Sequence, residues 1–343
     1  MAAGKAETAP LPVKKDLAQY PGRSGPAGFA AKSFKRLFRA GRNSALRSLT
    51  WLEELLPQNS WPRLMYRVRF AWQQKKVAAV QPGFSLVITT RNRKEFLSWA
   101  VAAVLANTQE PFEIIIMDNA SSDGTGALCR ELERRHPGLV RHVPLKRNYG
   151  TNAYALGFLL AKYHYLVDVD DDILAVSKGW DQAAAKAFSV IPRLGFLALN
   201  VVQDKYTNGA KPDLVNYSES IFAGTTIETG PVGGWFTVTT RPIYNEAGGF
   251  VFRPHKPFQS EDGQFASEMA RRGYVSGILK GKFVYHASGA YWNSAYGYNQ
   301  IWKEKYRRDH KDFVPRITTV LVAEVPSVEY ARTMLAQAEQ LND

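Results

Sequence analysis

Several things are scarce in this 343-residue chain, and each scarcity removes a class of protein. There is one cysteine, Cys129. An intramolecular disulfide framework is therefore excluded, and a reducing compartment fits. Cys129 lies in "GALCRELERR", where a small apolar residue on a helix face is the plain reading and a reactive thiol the alternative. No apolar run reaches the roughly 18 residues that a membrane span needs. The nearest, "YALGFLLAKYHYLV", is broken by Lys162 and His164. The N-terminus lacks the apolar core of a secretory signal. These absences predict a cytoplasmic protein, soluble or held peripherally on the inner face of a membrane. No internal repeat is visible either.

Basic charge is plentiful but confined. The formal net charge is +13, and residues 1–82 hold 15 Lys and Arg against 4 Asp and Glu, whereas the remainder is nearly neutral with 29 against 27. The main body thus shows no excess that would attract nucleic acid. Residues 1–30 are rich in Ala, Pro and Gly and read as disordered or extended. Residues 31–82 read as a basic amphipathic helical segment, with Phe34, Phe38, Leu49, Leu52 and Leu56 at mostly helical spacing. Such helices can pack on the main domain or on a second copy in a homo-oligomer, or lie on an anionic membrane, with nucleic-acid binding the weaker alternative because no recognised motif appears.

From Phe84 strands and helices alternate. "FSLVITT", "FEIIIMD", "VRHVPL", "YLVDV" and "LGFLALN" read as strands, with helices at "KEFLSWAVAAVLA", "GTGALCRELERRH", "TNAYALGFLLAKY" and 180–190. This is the pattern of an α/β doubly wound, Rossmann-like sheet. Ligands bind such sheets beyond the carboxyl ends of the strands. There stand "TTRNR", "DNASSDGT", "KRNYG" and "DVDDD", four polar loops that predict one shared site. After residue 200 the pattern is less regular. "GGWFTVTTRPIYNEAGGF" mixes a strand with a short helix, "SEDGQFASEMARRG" opens a helix, and "VSGIL" and "KFVYHA" read as two strands. Residues 291–343 form an aromatic and basic extension with a strand-like run, "ITTVLVAEV", and a final helix.

The run "YLVDVDDDIL" places Asp168, Asp170, Asp171 and Asp172 directly behind an apolar strand. Like charges repel there, so a cation is called for. An EF-hand fails, because Ile173 stands where the loop needs Gly and Gly179 where it needs Glu. A phosphatase-type nucleophile fails too, since Ile173 and Leu174 replace the hydroxyl residue expected after it. A strand-end carboxylate pair that holds a hard divalent cation shared with a diphosphate remains, beside a merely solvated acidic turn.

In order, "FSLVITTRNRKEFL", "EIIIMDNASSDGTG", "RNYGTNAYALGF", "YLVDVDDDI", "GGWFTVTTRPIYNEAGGF", "SEDGQFA" and "FVYHA" resemble the inverting glycosyltransferases of family 2, which have the GT-A fold. The likeness spans about residues 84–290. It implies a GT-A domain over 83–290, with a nucleotide-sugar half at 83–200 and an acceptor half at 201–290. By that resemblance Thr90, Arg91, Arg93, Asp118 and Asn119 would contact the nucleotide, with Arg93 suited by charge to a phosphate. Asn148 and Gly150 would line the donor pocket. The Asp-X-Asp motif of the family can be laid on Asp168 and Asp170 or on Asp170 and Asp172, and Asp170 belongs to both. His286 would be a third ligand of Mn2+ or Mg2+. Asp262, beside Glu261, would be the general base, although both also suit the first turn of a helix. Gly234 and Trp235 would meet the acceptor, Trp235 by stacking on a sugar.

The implied reaction moves a sugar from a nucleotide-diphosphate donor to a hydroxyl of a glycan or lipid-linked acceptor, in cell-surface polysaccharide or glycoconjugate synthesis. A sugar-nucleotide pyrophosphorylase would want a Gly-rich loop after the first strand, and "TTRNRKEF" has no glycine. A non-catalytic glycan- or nucleotide-binding module would not need both a base and metal carboxylates.

Overall fold

A computed structural model describes residues 80–207, 211, 216–253, 261–298 and 326–341. The expected segments 1–30 and 31–82 fall almost wholly outside them, and the run "ITTVLVAEV" does entirely. Among the described residues ten strands form one sheet. They are β1 (Gln81–Thr90), β2 (Phe112–Asp118), β3 (Val140–Pro144), β4 (Tyr163–Asp170), β5 (Ile173–Val176), β6 (Leu194–Val201), β7 (Ser218–Phe222), β8 (Thr225–Thr229), β9 (Phe236–Thr240) and β10 (Val275–His286). The order is β3-β2-β1-β4-β9-β6-β10-β8-β7, with β5 paired to β10 off this path.

The helices are α1 (Lys94–Asn107), α2 (Thr125–Arg135), α3 (Asn152–Leu160), α4 (Trp180–Val190), α5 (Arg241–Glu246), α6 (Glu261–Arg271), α7 (Ala290–Ala295) and α8 (Val328–Gln340). β1 to β4 are mutually parallel, β9 runs against both β4 and β6, and β10 is parallel to β6. Following the pairings, β1, β2, β3, β4, β6, β7 and β10 share one direction, and β5, β8 and β9 oppose it. The sheet is thus mixed and mostly parallel, as its sequence predicts.

The strands at its centre are near-continuous apolar runs because helices cover both faces. All eight residues of β6 are buried. On α1 the buried side chains Phe96, Leu97, Ala100, Val101 and Val104 make one apolar stripe. Gly157 lets α3 close on β1, since a Cβ there would overlap the Val87 side chain.

Four strands differ from the sequence reading. β5 follows the aspartates at once, where no separate strand is expected. β7 and β8 form a hairpin at the sheet's edge. The two late strands are one, β10, whose register against β6 slips between Leu279 and Phe283 at a bulge around Gly281 (φ 79°). The terminal helix α8 is no detached extension. Val328, Ala331 and Leu335 enter one core with Phe96, Leu174, Tyr285 and Trp292.

Candidate active site

The parallel half ends in a single row. Register sets Thr89 beside Asp170, Thr90 beside Asp118 and Asp118 beside Pro144. Polar ends of four strands therefore meet at one edge, as four separate loops in the sequence require. At this edge the chain turns through Asp171 and Asp172 and re-enters the sheet as β5, antiparallel to β10 with Ile173 opposite His286. The pairing brings a residue from late in the chain onto the acidic turn, and the Ala287 N–H donates to the Asp172 carbonyl at 2.9 Å to hold it there.

His286 Nε2 lies 2.9 Å from Asp172 Oδ1 and 3.3 Å from Asp170 Oδ2. One ligand atom from each of Asp170, Asp172 and His286 falls within 4.8 Å of the others. Two carboxylates with an imidazole are a donor set for a divalent cation such as Mn2+. Asp168 is not part of this trio. It is 1% exposed, and neither carboxylate oxygen has a hydrogen-bond partner among the described residues.

The electrostatics fit a site short of positive charge. Burial pushes the Asp168 carboxyl well above its ordinary range, and repulsion from Asp170, Glu261 and Asp262 adds to it. Burial opposes protonation of His286, but the charges of Asp172 and Asp170 outweigh it and raise its pKa to about 10. Asp172 is held below the carboxylate range despite its burial, by Arg93 and His286.

Across Gly234 from Asp168 stands Asp262, in the first turn of α6. Its Oδ2 accepts from the Gly234 N–H at 2.9 Å and its Oδ1 from the Gly263 N–H at 2.7 Å. Burial raises its pKa, these hydrogen bonds lower it, and the charge of Asp170 raises it again, with a net upward shift. Gly234 allows a close approach here, since a Cβ would sit 3.3 Å from both Asp168 Oδ2 and Asp262 Cβ and these side chains would have to give by a few tenths of an ångström. Glu261 is buried, so of the two acidic residues Asp262 is the more open.

Other residues singled out in the sequence prove to be brackets within the site. Asn119 is buried, its Oδ1 accepting from Tyr149 N–H and its Nδ2 donating to the Gly150 carbonyl. Arg91 donates to the carbonyls of Asn119 and Ala120. Asn148 Oδ1 accepts from Gly150 N–H at 2.8 Å. Asp118 Oδ1 accepts from Ser121 N–H at 2.9 Å, and its Oδ2 lies 3.5 Å from His142 Nε2. Burial works against the Asp118 carboxylate, but His142 and Ser121 bring its pKa below the usual value.

Trp235 is 3% exposed and its indole N–H donates to the Leu199 carbonyl, so the ring is part of the core and presents no open face to a sugar. Thr90 donates to Asp171 Oδ2, and Arg93 engages Asp171 and Asp172. Sequence reasoning gave Asp171 no role and missed Tyr154, whose hydroxyl donates to Asp170 Oδ1 at 3.0 Å. The only sequence signal for Tyr154 was its place on the helix that leads into the acidic strand.

Residues 85–247 match the family model described as Glycosyl transferase family 2. A hyaluronan synthase of Pasteurella multocida is 31% identical over 114 residues, which is 30% of this chain and 12% of that protein. An uncharacterized glycosyltransferase of Nostoc sp. is 29% identical over 89 residues, 26% of this chain and 27% of that one. The matches thus cover well under a third of either curated relative. Among solved structures, a mannosyltransferase from Pyrobaculum calidifontis in complex with GDP-Man and Mn2+ aligns with a TM-score of 0.48 at 17% identity, over 81% of this chain and 78% of that one. S. aureus TarS 1-349 aligns with a TM-score of 0.44 at 14% identity, over 67% and 68%.

Proposed function

Since the chain carries a glycosyl transferase family 2 domain at residues 85–247, we propose that it transfers a sugar from a nucleotide-diphosphate donor to a hydroxyl of a glycan or lipid-linked acceptor, with inversion at the anomeric carbon. The observation that carries this reading is the convergence of Asp170, Asp172 and His286 at the strand ends, with Asp262 standing apart as a separate carboxylate.

Asp170, Asp172 and His286 would hold the divalent cation, the donor set suiting Mn2+ or Mg2+. Bound there, it would act as a Lewis acid that neutralises charge on the diphosphate leaving group. Asp262 is the general base. The acceptor oxygen attacks the anomeric carbon and gives its proton to the Asp262 carboxylate, while the bond from that carbon to the diphosphate oxygen breaks and its electron pair leaves with the diphosphate. One displacement of this kind inverts the centre and needs a single base, unlike the carboxylate pair of a glycosidase. The two N–H groups that Asp262 accepts fix the carboxylate in place, and its raised pKa makes it a stronger base than a solvated aspartate. Thr90, Asp118 and the loop brackets at Asn119, Asn148 and Gly150 would shape the nucleotide pocket.

A panel of nucleotide sugars supplied with Mn2+ tests the reading through transfer or slow hydrolysis. Asp262→Asn should lower turnover by about two to four orders of magnitude, the usual worth of a positioned base, with donor affinity retained. Unchanged turnover removes Asp262 from that role.

A further inference from the structure

Arg93 was expected at a phosphate, yet its guanidinium is already committed. Nη1 donates to Asp171 Oδ1 at 2.7 Å and Nη2 to Asp172 Oδ2 at 2.8 Å, and the side chain is 14% exposed. The second oxygen of Asp171 accepts from the Thr90 hydroxyl at 2.7 Å. The second oxygen of Asp172 is the one that faces His286. The guanidinium in turn lies over the rings of Phe96 at 4.8 Å and Tyr298 at 5.5 Å, and Tyr298 Oη donates to Glu95 Oε2 at 2.6 Å. Two neighbouring buried carboxylates are thus spanned by one planar fork, itself set against two adjoining aromatic rings.

We infer that Arg93, seated on Tyr298, is a positioning residue that sets the rotamer of Asp172 and thereby builds the cation site, rather than a contact to the donor's phosphates. The inference rests on the cation reading of Asp170, Asp172 and His286 given above. Its logic is geometric. His286 attracts Oδ1 of Asp172, and the bond from Arg93 to Oδ2 takes away the rotation left to the carboxylate and so holds Oδ1 in place. A lysine would keep the positive charge but, as a point donor, could not span both carboxylates at once. Tyr298 extends the same support to the aromatic segment that follows β10, which the sequence alone left without a role.

Mn2+ binding to the full chain without any nucleotide, followed by electron paramagnetic resonance of the free ion, tests this. The wild type should bind Mn2+, and Arg93→Lys should bind it about tenfold or more weakly, the usual cost of losing a residue that orients a metal ligand. Tyr298→Leu, which removes one of the two rings against the guanidinium together with the hydrogen bond to Glu95, should weaken binding in the same direction. If Arg93→Lys does not fold by near-ultraviolet circular dichroism, Tyr298→Leu decides the matter against Tyr298→Phe, which keeps the ring, loses only the hydrogen bond to Glu95 and should bind Mn2+ like the wild type. Removing a cation without loss of geometry would instead tighten Mn2+ binding, so Arg93→Gln should also bind more weakly if positioning governs. Wild-type Mn2+ affinity in the folded Arg93 and Tyr298→Leu variants, with nucleotide affinity reduced, overturns the inference and restores Arg93 to the phosphates. A wild-type chain that binds no Mn2+ overturns the cation reading itself.

Discussion

Individual side chains in this protein take their roles from what surrounds them. Asp168, Asp170, Asp171 and Asp172 are chemically alike, yet one is buried with no hydrogen-bond partner among the described residues, two are spanned by Arg93 and two face His286. Cys129 shows the same dependence. It is fully buried on α2, and burial, with the Asp118 charge adding to it, pushes its thiol up to about 12. At pH 8 it is therefore a neutral thiol, and thiolate is the reactive form. Native protein should resist alkylation by iodoacetamide at pH 8 and react stoichiometrically once denatured; fast labelling of the folded chain would refute the buried placement. That Cys129 is a packing residue was legible from "GALCRELERR" alone. The partners of the aspartates were not, because they come from β1, α1 and β10, and no local pattern announces a pairing across that much chain.

Among the elements, those that the sequence displays most clearly are those buried on both faces. β1, β2, β4 and β6 appear as mostly apolar runs with few polar interruptions, and their helices as stripes. What failed to show were elements fixed by pairing rather than by pattern. β5 is four residues long and exists because β10 lies alongside it. The bulge in β10 looks in sequence like a gap between two strands. The helix α8 was visible, begun by Ser327 whose side chain accepts from the Tyr330 N–H, but its packing partners were not. Leu335 on that helix is 7% exposed and belongs to the core that includes Phe96 and Tyr285. Leu335→Ala should cost about 2–5 kcal/mol, the range for emptying such a site, measured by urea unfolding. A loss below about 0.5 kcal/mol, the level of an ordinary surface change, would show that α8 is an appendage.

For the molecule as a whole, the candidate site is a product of topology. Parallel strands β1 to β4 bring their polar ends to one edge, and the antiparallel insertion of β9 leads from β4 to Gly234 and so to Asp262. The sequence order of seven short motifs was enough to suggest the family, since each motif falls at a strand end or helix start of this sheet. Which aspartates could share a cation stayed open until β10 was in place: Asp168 and Asp170 lie on one strand, but the trio with His286 takes Asp170 and Asp172. The central claim is that this trio carries a cation on which donor binding depends. A thermal-shift titration of the full chain with nucleotide sugars, with and without Mn2+, tests it most directly, because a ligand that binds only the folded state stabilises it by mass action. The account predicts that at least one nucleotide sugar raises the melting temperature with Mn2+ present, and that the increment vanishes without the metal and in Asp170→Asn. Equal stabilisation with and without Mn2+, or an Asp170→Asn variant that responds like the wild type, would contradict it.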